Sequence, residues 1–223
     1  MAFKGFVDDK GTFFKTLAKN QNREWFKKNK TKYETEWSEP MLELLGEVRE
    51  GIDDAYSYCD LAEPKLFRIY RDVRFGKDKS PFKTHIGGTI SITGTGAVMD
   101  KPVALYLQLG TDPFAGAGHY MLPPDKLAKV RRAIVEDARG KELAKIVKAL
   151  EKRGSRLMSA EKLVRVPKGF DAEHPRAELL KMKGLVARFP PIPSIKDASL
   201  TKWLIRECKA IAELVTWTTY ASA

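Results

Sequence analysis

Apolar residues along this chain recur first with a helical period, then with a period of two, then with a helical period again. Thr12 to Lys19 places Phe13, Phe14 and Leu17 on one face and predicts a short helix behind the Asp8-Asp9 pair. Asn20-Gln21-Asn22 stops it. Asn22 is then placed to cap a second helix, with Glu24 in its first turn complementing the dipole and Phe26, Tyr33 and Trp37 at helical spacing. That aromatic stripe reads as core, because large apolar groups at such spacing pack. Pro40 is expected to break or kink the helix. Beyond it Met41, Leu44, Leu45, Val48 and Ile52 form the inner stripe of an amphipathic helix.

From Lys65 the period changes to two. Phe67, Ile69, Val73 and Phe75 fall on one side of an expected strand, and Arg68, Tyr70, Asp72 and Arg74 on the other. Arg71 falls among the apolar positions, so it is either buried and paired or re-aimed by a bulge. After a charged turn and Pro81, His85, Gly87, Thr89 and Ser91 alternate with Ile86, Ile90 and Ile92, and Gly94-Thr95-Gly96 reads as a turn. Val103, Leu105, Leu107 and Leu109 alternate with Tyr106 and Gln108 in a third strand. Phe114 to Met121 reads as a fourth, with Gly116 and Gly118 on one face, marking a bulge or a close backbone or ligand approach. Short turns between them favour an antiparallel meander.

Pro123-Pro124-Asp125 opens a helix with Leu127, Val130, Ile134 and Val135 inward, ended by Gly140. Leu143, Ile146, Val147 and Leu150 define another, ended at Gly154. A short strand is expected at Leu163 to Val166, a short helix at Pro175 to Lys183 and a strand at Leu185 to Phe189. The proline-rich Phe189 to Pro193 segment lies against the body. The last helix carries Leu200, Trp203, Leu204, Ile211, Leu214 and Val215 inward. The whole predicts a single α+β domain over 1–223, with N-terminal helices in 9–55, a strand meander in 65–121, and C-terminal helices with short strands in 124–221. Its mainly antiparallel central sheet, about 66–121 plus the later strands, packs against the terminal helices.

Composition changes this picture only a little. Hydrophobic residues at 43% and charged residues at 31% are those of an ordinary folded chain rather than a disordered one. No apolar run approaches the roughly 18 residues of a membrane helix, and the first residues lack a secretory apolar core. Cys59 and Cys208 have no C-x-x-C partners, which argues against a zinc-thiolate site and fits a cytoplasmic protein. A net charge of +11 attracts anionic partners without choosing among them, and is equally a solvated helix surface.

The candidate chemistry gathers between Lys65 and His85. Arg68, Arg71, Arg74, Lys77, Lys79 and Lys83 stand there against only Asp72 and Asp78, and with His119 they form the expected ligand-binding set. The ligand class is a small anion, a phosphate or carboxylate. On an ideal strand Arg68 and Arg74 would sit about 20 Å apart, lining an extended ligand rather than clasping one small phosphate. An ion-pair network among the same residues is the competing reading. An acid–base site with His85, Tyr70 and Asp72 as catalytic residues is the enzymatic alternative, and docking of an acidic protein is a third. Nucleic acid is a less favoured form of anion binding, since no nucleic-acid motif is present. No metal, no cofactor and no membrane is called for; the catalytic and nucleotide motifs H-E-x-x-H, P-loop, G-x-S-x-G and dinucleotide fingerprint are missing.

Two blocks carry a family resemblance. One is Asn22-Arg23-Glu24-Trp25-Phe26 with Asn29-Lys30 and Tyr33-Glu34. The other runs from Phe67 to Phe75 and on through Lys77-Asp78-Lys79-Ser80-Pro81-Phe82-Lys83-Thr84-His85. With Phe114-Ala115-Gly116, Gly118, Pro167-Lys168-Gly169-Phe170, His174-Pro175 and Leu179-Leu180-Lys181, the chain resembles over nearly its whole length the family catalogued as domain of unknown function 2461. Gly76 stands where many members carry serine, which weakens any role for a hydroxyl there. The resemblance implies one folded unit centred on the second block, and no activity.

Overall fold

A computed structural model describes residues 2–74, 77–93 and 102–223. Its sheet is built almost wholly from the middle of the chain. β1 (Asp60–Leu61) and β2 (Lys65–Leu66) both pair with β3 (His85–Thr93). β3 continues to β4 (Val103–Gly110) and β5 (Phe114–His119), then to β7 (Leu185–Arg188) and the edge strand β6 (Arg156–Met158). Every pairing is antiparallel. The expected mainly antiparallel α+β domain is what forms.

One face of this sheet is buried by helices. Ile86, Ile90, Leu105, Leu107, Leu109, Ala115 and Ala117 are buried there beneath α3 (Glu39–Ile52) and α7 (Ser199–Ser222), which also pack on each other. Gly88 sets how close α3 can come: a Cβ at that position would lie 2.5 Å from the Leu45 δ1 carbon. α4 (Pro124–Val135) and α5 (Asp137–Lys152) pack on α7 from outside. None of the described helices is long and apolar enough to cross a membrane.

The N-terminal helices form where the pattern placed them. The Asp8 carboxylate accepts the Thr12 and Phe13 N–H groups at 2.8 and 2.7 Å, capping α1 (Thr12–Lys19). Asn22 caps α2 (Arg23–Tyr33) by accepting the Trp25 N–H at 2.8 Å. Pro40 does not break the helix. A π turn at Glu34–Ser38 joins α2 to α3, and Pro40 sits in the first turn of α3. The wide turn carries the chain past a residue that has no N–H and crowds the preceding turn, and Trp37 within it is fully buried.

Three expectations are corrected. The strand expected from Lys65 to Phe75 is regular only at Lys65–Leu66. Phe67 donates its N–H to Gly87 at 2.9 Å; farther out, Arg71 donates to Pro81 at 2.9 Å and Lys83 to Ile69 at 2.8 Å, around a lone Tyr70–Phe82 bridge. Between these two levels Arg68 and Ile69 face the longer stretch Lys83 to Ile86, so the register slips and the ladder is lost. Phe67 consequently turns outward while Ile69 is buried. Phe75, Gly76 and the Gly94-Thr95-Gly96 turn lie outside the described residues.

Gly140, expected to end a helix, lies inside α5. α4 ends earlier because the Arg176 guanidinium takes its last carbonyls, Nε donating to Ile134 at 2.6 Å and Nη2 to Val135 and Glu136 at 3.4 Å. A Cβ at position 140 would stand 2.5 Å from that Nε. Leu163 to Val166 makes only a Lys162–Met182 bridge and no strand, and β6 takes the sheet edge instead. The short helix is α6 (Ala177–Leu180).

Arg176→Ala leaves the part-buried Ile134 and Val135 carbonyls without their donor, so the urea midpoint should fall by an amount equivalent to about 1 kcal/mol with an unchanged slope. Gly140→Ala should displace the same side chain and lower the midpoint too. An unchanged midpoint in Arg176→Ala would show that solvent replaces the cap at no cost.

Candidate functional site

The segment from Phe67 to Lys83 folds over as an irregular hairpin whose two sides face different surroundings. On one side Phe82, fully buried, stacks on Phe26 of α2 with ring centroids 4.6 Å apart. Tyr70 packs on both rings at 5.3 and 6.0 Å, and Gln21 accepts the Phe82 N–H at 3.1 Å. The two conspicuous sequence blocks therefore meet here. A shallow cavity of about 410 Å³ beside Tyr70 is rimmed by Arg23, Lys27 and Lys30, the last paired with Glu34 at 3.3 Å.

The other side opens onto the sheet face away from the helices. Lys83, His85 and Gly87 share that parity. Lys83 Nζ stands 5.7 Å over the Phe67 ring. Phe67 meets Tyr106 at 5.9 Å, Tyr106 meets Phe114 at 5.9 Å, and the Arg188 guanidinium lies 5.3 Å over Phe114. A row of rings thus crosses the outer face with a cation at each end.

The hairpin's charges divide into two groups. Arg71 is paired with Asp78, whose carboxylate also accepts the Ser80 N–H at 2.9 Å. Of the two expectations for Arg71, burial with a partner or re-aiming by a bulge, the pairing forms, on a side chain that stays partly exposed. Arg74 grips Asp72 through Nε at 3.1 Å and Nη2 at 2.8 Å, and its side chain first, then its backbone N–H, hold the Asp72 carboxyl down to about 2. Lys79 donates to the Val73 carbonyl at 2.8 Å. These contacts tie the turn together.

Arg68, Lys77 and Lys83 form no ion pair with a carboxylate among the described residues. Lys83 is partly buried, and its pKa is lowered by burial first and then by Arg68 and Arg71. The His85 imidazole is lowered by burial, then by Lys83 and Arg71, with Asp112 the opposing charge. His85 is therefore neutral at pH 7, at the centre of a positive region.

The residues of the acid–base alternative are not gathered. Tyr70 lies on the α2 side of the hairpin and His85 on the other. Asp72 is committed to Arg74. His119 is buried on the helix side of the sheet, paired in register with Leu185. His85 pairs with Gly110 at one end of β4, whereas His119 lies just beyond the Val103–Gly118 pair at the other, about 25 Å away at strand rise. What sequence reasoning missed is the ring row. Tyr106 lay on the polar parity of its strand and Arg188 at a strand end, but their meeting depends on the strand order.

The model of a family described as a conserved hypothetical protein (DUF2461) matches residues 10–217. Among curated proteins and among solved structures, none matches the chain.

Proton NMR of the His85 ring should show a midpoint below 6.5. Because the folded state then binds the proton less readily than the unfolded chain, His85 costs stability as pH falls through about 6.5 and costs nothing above it. Lys83→Met should raise the midpoint part of the way, burial remaining. A midpoint at or above 6.5 in the native protein contradicts the arrangement.

Proposed function

Since the chain belongs to this family, whose description assigns no activity, its function must be read from the site, and we propose that it binds a small phosphate- or carboxylate-bearing ligand beside Lys83 on the outer sheet face. The observation that carries this reading is the unrelieved charge at Lys83. Burial and two neighbouring guanidiniums lower its pKa, while the nearby acids are already spent, Asp78 on Arg71 and Asp72 on Arg74. A purely structural network would end with its cations paired. Here an anion would complete the network, with Arg68 and Lys83 as its charge partners. Phe67 and Tyr106 add an apolar wall for an organic body, and neutral His85 offers either a donor or an acceptor. Arg71, Arg74, Lys77 and Lys79 form the surrounding rim.

A second reading follows from the same histidine. Burial and the flanking cations keep His85 unprotonated at neutral pH, the state a general base needs, so a bound anion could be a substrate. Binding is the premise of both.

Thermal melting with inorganic phosphate, pyrophosphate and citrate tests it. A specific anion should raise the melting temperature, by the equivalent of about 2.7 kcal/mol at a hundredfold excess over Kd, and the shift should persist at moderate salt. The midpoint of His85 should rise as the anion neutralises Lys83. A short single strand of DNA or RNA bound only through the general basic surface should be lost steeply with salt. No shift with any anion, or a shift kept in the Lys83→Met, Arg68→Ala double variant, would remove this site.

A further inference from the structure

A second concave site lies at the end of the sheet, apart from Lys83. A cavity of about 1020 Å³ opens between the start of α1, the turn from β4 to β5, the ends of β6 and β7, and the segment Phe189 to Ile195. That is the size of a pocket for a nucleotide-sized molecule. Phe189 makes the last ladder-like bond, donating to Ala115 at 2.9 Å, and Phe6 then fixes the far end by donating to Ile195 at 2.8 Å. Between these points Pro190, Pro191 and Pro193 have no N–H and restricted backbones, so the strap spans the space as a stiff apolar wall. Phe114 and Phe189 add aromatic surface.

Two features of this cavity lack a partner inside the protein. Trp37 contributes to its lining, has no solvent exposure, and its buried indole N–H has no acceptor. Buried tryptophan N–H groups are normally bonded. The second feature is Arg156 opposite Arg188 in the β6–β7 ladder. Like charges directly across a strand pair repel, and neither guanidinium has a carboxylate partner among the described residues. Lys10 and Lys15 bring more positive charge to the same lining, while Asp9 is turned to Lys196 at 3.8 Å.

We propose that this cavity is a binding site for a ring-bearing organic phosphate. The phosphate lies across Arg156 and Arg188, whose paired forks suit its oxygens. The ring lies between Phe114 and the proline strap, beside the buried Trp37. This site stands independently of the one at Lys83.

Titration with phenyl phosphate and with adenosine 5′-monophosphate, followed on the indole ¹⁵N–¹H signals, tests the assignment. Trp37→Phe identifies the Trp37 signal by its loss. That signal should shift saturably with at least one of the two probes, and inorganic phosphate should bind at least tenfold more weakly. The Arg156→Met, Arg188→Met double variant should lose at least tenfold in affinity while melting no lower than the native chain, since it removes a repulsion. Lys83→Met should leave the titration unchanged. A Trp37 signal that neither probe moves, binding undiminished in the double arginine variant, or binding abolished by Lys83→Met would each overturn the proposal.

Discussion

The sheet can bury only one of its faces, and the rest of the molecule follows from which one. α3 and α7 lie together on the same side, and Gly88 lets α3 settle onto β3 where any side chain would hold it off. Isoleucine, leucine and alanine fill that interface. α4 and α5 cover α7 and α2 packs on the hairpin, which leaves the opposite face of the sheet to the hairpin and the ring row. That face therefore keeps its polar parity, and it is where Lys83, His85, Tyr106 and Arg188 come together. Burial of one side and availability of the other are the same constraint seen twice.

This explains which parts were legible in the sequence. The stripe Met41, Leu44, Leu45, Val48 and Ile52, and the alternation along β3 and β4, report burial, and burial was read correctly because periodicity is a local property. The errors fall where a distant residue decides. Gly140 looks like a helix stop, but its lack of a side chain serves Arg176 from far along the chain. The Phe67 to Phe75 alternation is good strand pattern, yet Pro81 and the register slip deny it a ladder. β6 is too short to announce itself, and exists because β7 offers an edge.

The candidate site was legible as a place and not as an arrangement. Charge density pointed to the hairpin, but could not say which cations are spent on building it. The structure separates them: Arg71, Arg74 and Lys79 hold the turn, whereas Arg68 and Lys83 are left facing outward. The ion pairs of the first set use the nearby acids Asp72 and Asp78. The aromatic row could not be foreseen at all, since Phe67, Tyr106, Phe114 and Arg188 meet only through the order β2-β3-β4-β5-β7.

The same accounting of acids connects the two sites. In α2, α5 and the 159–183 region some lysines and arginines are paired with carboxylates, and the Glu178 carboxyl, gripped by Lys162 and Lys181, is held down to about 2. Lys83, Arg156 and Arg188 have no carboxylate partner among the described residues. A general excess of positive charge kept for solubility would have no reason to set guanidiniums opposite one another on adjacent strands, where the repulsion is largest. Nor would it bring aromatic rings to the same places, under Lys83 at one end and under Arg188 at the other. Cations over rings, Lys83 on Phe67 and Arg188 on Phe114, are the feature that the two proposed sites share.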